Sequence, residues 1–163
     1  MKNLLYLIFF GLILSNQTIA QEIKGKLVVD GTSKKELSLK SSNAVDLYAA
    51  MRDQAYPIQF SFEGKGLAKT ESGNEVAIIW FRTTLKKDGR VISKQERTPM
   101  PFFPGDMLMP VETFDFVSQL TTASGKPDLS SKIPAGNYEV TLEAGPVGVM
   151  GTVSSATLVF SVK

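Results

Sequence analysis

The chain has 163 residues, 43% of them hydrophobic, with 18 Lys+Arg against 16 Asp+Glu and neither His nor Cys. That near-balance of scattered charge excludes attraction to nucleic acid or an acidic membrane surface by net field. The two missing residue types exclude disulfides, Ser-His-Asp and Cys-His catalysis, imidazole or thiolate zinc sites, and a lipidated cysteine anchor.

The N-terminus opens with Lys2, runs through an apolar stretch from Leu4 to Leu14, and reaches Thr18-Ile-Ala20. A charged start, a short apolar core and small residues before the cut define a secretory signal peptide over 1–20, with cleavage after Ala20. Its apolar run is too short to cross a bilayer of about 30 Å as a helix, so no integral span is expected in the mature chain. The mature chain, 21–163, is expected to be exported to the periplasm or the exterior. At about 140 residues it suffices for one domain with a full core.

Glu22 to Val29 reads as a first strand. Asp30-Gly31 turns the chain into a second short strand, Glu36 to Leu39, where Leu37 and Leu39 alternate with polar neighbours. Ser42 or Asn43 can cap a short packing helix, Ala44 to Gln54, that puts Leu47, Tyr48 and Met51 on one face. Pro57 ends that segment, and Ile58 to Glu63 follows as a strand with Ile58, Phe60 and Phe62 on one side. The next stretch, Gly64 to Asn74, reads as a polar loop.

Glu75 to Lys86 is the longest strand signal in the chain, rich in β-branched and aromatic residues and free of Gly and Pro. Asp88-Gly89 supplies the two positive-φ positions of a type I′ turn, so Arg90 to Arg97 should fold back as its hairpin partner. A strict two-residue hairpin sets Trp80 opposite Arg97 in cation–π reach. Val76 to Phe81 is apolar at both parities, which suggests cover on both faces there. The pattern leaves open whether the even set (Val76, Ile78, Trp80) or the odd set (Ala77, Ile79, Phe81, Leu85) faces the core.

Thr98 to Pro110 contains four prolines among largely apolar side chains, which forbids regular pairing through most of it. Val111 to Val117 resumes strand character, and Gln119 to Lys132 is a polar, turn-rich connection. Tyr138, Val140, Leu142 and Ala144 alternate with Glu139, Thr141 and Glu143, the signature of a half-buried strand. Gly145 to Gly151 is a loop, and Ala156 to Val162 is the last strand, with Leu158, Phe160 and Val162 inward.

These signals define an all-β fold, an antiparallel sandwich of about seven to eight strands with one short inserted helix. Ile133-Pro-Ala-Gly-Asn-Tyr-Glu-Val-Thr-Leu142 and the terminal Val-Phe-Ser-Val-Lys163 resemble the closing strand pair of immunoglobulin-like and fibronectin type III-like bacterial domains. The resemblance implies that Tyr138 forms a tyrosine corner and is structural. It carries no particular activity, because many functions share that scaffold.

No catalytic constellation stands out. Glu112 and Asp115 on a strand point to opposite faces, while Glu71/Glu75 and Asp46/Asp53 read as solvated charges. Lys35 beside Ser33, and Lys132 beside Ser131, are ordinary sequence neighbours. A non-catalytic protein without a cofactor is therefore expected, a carboxylate enzyme being the remote alternative. The candidate site is the apolar loop end. Immunoglobulin-like alternation brings the loops 64–74, 98–110 and 145–155 to one end of the sandwich. That end collects Met100, Phe102, Phe103, Met107, Leu108, Met109, Val147, Val149 and Met150. Such a cluster either completes the core or binds a protein or envelope component. A third reading takes Met100, Met107, Met109 and Met150 as thioether ligands for Cu(I).

Overall fold

A computed structural model describes residues 20–121 and 129–163. Among these residues, eleven strands form two sheets, accompanied by two α-helices and one 3₁₀ turn. Strand β1 is Glu22–Val29 and β2 Lys34–Glu36; helix α1 is Ala44–Arg52; β3 is Ile58–Lys65, β4 Ala68–Lys69, β5 Glu75–Lys87, β6 Arg90–Glu96, β7 Met100–Phe102 and β8 Gly105–Met109. A 3₁₀ turn at Val111–Thr113 precedes helix α2, Phe116–Thr121, and the chain closes with β9 Gly136–Val147, β10 Met150–Ser154 and β11 Ala156–Val162.

The small sheet has four strands in the order β10-β1-β3-β8. In the seven-stranded sheet β2-β11-β9-β5 run side by side, and β4, β6 and β7 each pair with part of β5. The fold is all-β, as the alternation implied, but the sheets are mixed: β1 pairs in parallel with β10, and β2 in parallel with β11. Three of the extra strands, β4, β7 and β8, come from segments whose Gly and Pro content argued for loops. The second strand lies at Lys34–Glu36, earlier than the expected Glu36 to Leu39.

The odd residues of β5 face the core: Ala77, Ile79, Phe81, Thr83 and Leu85 are buried. The even set looks outward, and Ile78 is 39% exposed, so the first half of β5 is not covered on both faces. Ile58, Phe60 and Phe62 of β3 face it from the small sheet, and the two layers meet where the Phe60 and Phe81 rings cross edge to face at 5.4 Å. Tyr138, Val140, Leu142 and Ala144 of β9 and Leu158, Phe160 and Val162 of β11 all point inward. The Tyr138 hydroxyl donates to the Pro134 carbonyl, four residues upstream, at 2.7 Å.

Val111 to Val117 is not a strand. Phe116, Val117 and Leu120 are buried at i, i+1 and i+4, a helical spacing that a period of two cannot satisfy. Helix α1 packs against this segment through Leu47 and Met51, and its start is tied to the approach to β9, since Ile133 N–H donates to Ser42 O at 2.7 Å. The two helices and the 3₁₀ turn therefore plug one end of the sandwich. Seven residues of the polar connection, 122–128, lie outside the described residues.

Candidate functional site

The opposite end is built from strand termini. Glu22 pairs with both Lys65 and Met150, and Phe62 pairs with Gly105, so β1, β3, β8 and β10 of the small sheet all have one terminus there. From the large sheet come the start of β5, the end of β9 and β7: Ala77 pairs with Phe102, and Ile78 with both Pro101 and Val147. The chain crosses between sheets at this end through Phe103-Pro104 and through Gly148-Val149.

The sequence cluster divides into two groups. Phe102, Met107 and Val149 complete the core on this side, whereas Met109 does not belong to this end: it is buried toward the plugged end, beside Met51 and Val111. Phe102 packs on Phe60 and Phe81 at 6.0 and 5.2 Å between ring centroids. Met107 lies opposite Phe60, Met109 opposite Ile58, and Val149 packs against the same cluster. Buried Leu67, seated over Gly64, closes the remaining gap. The core is thus complete without Met100, Phe103, Val147 and Met150, which stay 43% to 60% exposed at this end. Leu108 is exposed as well, but it sits on β8 opposite Gln59, further down the small sheet's outer face.

Two residues, Pro101 and Ile78, join the exposed group without having been expected there from the sequence. Pro101, Ile78 and Val147 form one cross-strand row on the outer face of the large sheet, all exposed. Trp80 lies next along β5, opposite Gly145, and its indole occupies the space that a side chain at Gly145 would need. A cleft of about 570 Å³ opens beside it, lined by Trp80, Pro146, Val149, Met150 and Thr152 among others. The signal for Ile78 and Trp80 was the even parity of β5, which becomes readable only once the odd set is known to be the core.

The hairpin turn is type I′ in character, with φ of 49° at Asp88 and 79° at Gly89. The expected Trp80–Arg97 pair does not form, however. A bulge between Leu85 and Lys86 leaves Ile92 as the extra residue on β6, so Leu85 pairs with Ser93 and the register slips by one. Arg97 consequently bonds Phe81 O through its backbone N–H, and its guanidinium donates to the Glu112 carbonyl at 2.6 Å and the Thr113 carbonyl at 3.3 Å. The cation over Trp80 is Arg82, at 4.9 Å from the ring centroid. Arg82 is held there by a two-pronged bond to Glu143, at 2.9 Å for each nitrogen. That pairing draws the Glu143 carboxyl below its usual range, against a smaller opposing effect of burial.

The four methionines do not converge. Met107 and Met109 lie on β8 and Met150 on β10, at opposite edges of the small sheet. Three strand spacings separate those edges, about 14 Å, far beyond any shared coordination sphere.

The carboxylates are dispersed. Glu112 sits in the 3₁₀ turn, not on a strand, and accepts the Tyr48 hydroxyl, which holds its carboxyl below the usual range. Asp115 lies 3.8 Å from Arg97. Asp46 is bonded by Ser41 and Asn43 at the start of α1, and Asp53 pairs with Arg52. A larger hollow, about 720 Å³, lies over the outer face of the small sheet. Its lining alternates Lys24 and Lys26 with Glu63 and Asp106 and includes no aromatic platform apart from Phe62, whose ring is in the core. No known family model matches the chain, and no curated protein is significantly similar to it.

Proposed function

We propose that this is an exported, non-catalytic β-sandwich of immunoglobulin-like type that binds another protein or a cell-envelope component through its apolar end. The observation that carries the reading is the asymmetry of the two ends. Helices α1 and α2 plug one end with buried side chains. The other end has a closed core and still presents Ile78, Met100, Phe103, Val147 and Met150 to solvent. Apolar side chains beyond what packing needs, gathered on one rim, are the usual mark of a partner surface. Proline at 99, 101 and 104 restrains the segment bearing two of them, which lowers the entropy lost on association. The immunoglobulin-like assignment is supported by the Tyr138–Pro134 bond and by the first segment of the chain joining both sheets, β1 in one and β2 in the other.

The test compares wild-type mature protein with a Phe103→Glu, Met150→Glu variant in affinity capture from an envelope extract, followed by titration of the captured partner in pure form. Both sites are exposed, so the variant should melt close to wild type, within about 0.5 kcal/mol per site. It should also lose the partner. Met109→Glu, which buries a charge in the core, should unfold. A folded double variant that binds the purified partner as tightly as wild type rejects the apolar end as the surface.

A further inference from the structure

We propose that Gln21 is a modification site: once it is the N-terminus, it closes to a pyroglutamyl residue. The inference rests on the export reading above, in which cleavage follows Ala20.

In a chain beginning Gln21-Glu22-Ile23, the α-amino nitrogen and the side-chain amide carbon are spaced to close a five-membered ring. The nitrogen attacks Cδ, the bond from Cδ to the amide nitrogen breaks, and ammonia leaves with the proton shed by the amine. No oxidant, reductant or further reactant is consumed. An α-amino group titrates near pH 8, so a useful fraction is the neutral nucleophile at neutral pH.

The fold leaves those atoms free to react and holds the rest of the residue in place. Ala20 and Gln21 are exposed, and strand pairing begins only at Glu22. Gln21 uses its carbonyl, which accepts the Met150 N–H at 3.0 Å. Among the described residues, neither its backbone nitrogen nor its side-chain amide takes a hydrogen bond. Ring closure uses only those two groups, so it breaks no bond of the ladder and leaves the anchor to Met150 intact.

The position gives the ring a consequence for the apolar end. Met150, exposed and opposite Glu22, is one of the rim residues. Before closure, a charged ammonium and a primary amide stand beside it. After closure the same place holds a neutral lactam, and the rim has lost one positive charge and its hydration shell. Cyclisation thereby makes the end of the sandwich more uniformly uncharged, and it removes the free amine that an aminopeptidase requires.

The experiment expresses the full chain in an exporting host, purifies the exported protein, and measures its intact mass before and after incubation at neutral pH. An amine-selective reagent applied near pH 7 gives a second readout. The expected mass is that of 21–163 less about 17 Da, the ammonia released, with the N-terminus unlabelled. The Gln21→Ser variant should start at residue 21, keep its full mass and take the label. A wild-type chain that starts at Gln21 and retains full mass and a labelled amine overturns the proposal while leaving export intact. A chain that starts at any other residue overturns the cleavage site, and the proposal falls with it.

Discussion

The hydroxyl of Thr83 donates to the carbonyl of Phe114 at 2.7 Å inside the core, tying the middle of the longest strand to the helical plug. Thr83→Val keeps the shape and deletes the donor, so the carbonyl loses its shorter side-chain bond and keeps the longer one from Gln119, at 3.3 Å. The expected loss is at the low end of the range for a buried unpaired acceptor, about 1 kcal/mol. Urea unfolding should show a lower midpoint with an unchanged slope.

Gly145 is required by its neighbour across the strand pair, not by its backbone angle. A Cβ there would sit 2.5 to 2.9 Å from three atoms of the Trp80 indole. The indole cannot simply lift, because Arg82 lies over it and is fixed by Glu143. Gly145→Ala should therefore cost about 1–3 kcal/mol, as overpacking does. Displacement of the indole toward solvent should shift Trp80 fluorescence to the red, and since this is the one Trp in the chain the signal is unambiguous.

The Arg82–Glu143 bond makes stability depend on pH in a defined direction. The Glu143 carboxyl is lowered in the folded state, chiefly by the Arg82 hydrogen bonds. The stability it contributes is therefore present above the unfolded glutamate value, about 4.3, and is lost as pH falls through the lower folded value. Glu143→Gln lacks that contribution at every pH. The wild type should exceed the variant in urea midpoint at pH 7, and the gap should narrow steadily below about pH 4.3. A gap that is constant from pH 7 to pH 3 would show that the pair adds nothing.

Period-two alternation made β1, β3, β9 and β11 legible, because each has one buried face and the polar residues between mark the other. Helix α1 was legible for the same reason at helical spacing, with Leu47 and Met51 buried and Tyr48 half-covered. The strand expected over Val111 to Val117 is a 3₁₀ turn and a helix instead, because a short apolar run satisfies both periods. Only the continuation to Leu120 separates them. The bulge at Ile92 carries no local signal, and with the register it sets, Arg97 follows β6 to the Glu112 and Thr113 carbonyls. The candidate site was half legible. Met100, Phe103, Val147 and Met150 do lie exposed near one end, but composition could not separate them from Phe102, Met107, Met109 and Val149. Phe102, Met107 and Val149 differ from the rim residues in the face they occupy, and Met109 in the end of the sandwich it reaches, opposite Ile58; both depend on partners distant in sequence.

The first fifteen or so residues of the described chain are paired with its last fifteen, β1 with β10 and β2 with β11, each in parallel. The beginning of the domain thus waits for its end. Until Met150 and the residues after it have been made, β1 has one bare edge and β2 has no strand to join, so a nascent chain cannot finish either sheet. Such long closures slow folding, and they leave both sheets short of a pairing until residues 150–159 are in place. The last segment acts as a latch that joins the first two strands to their sheets.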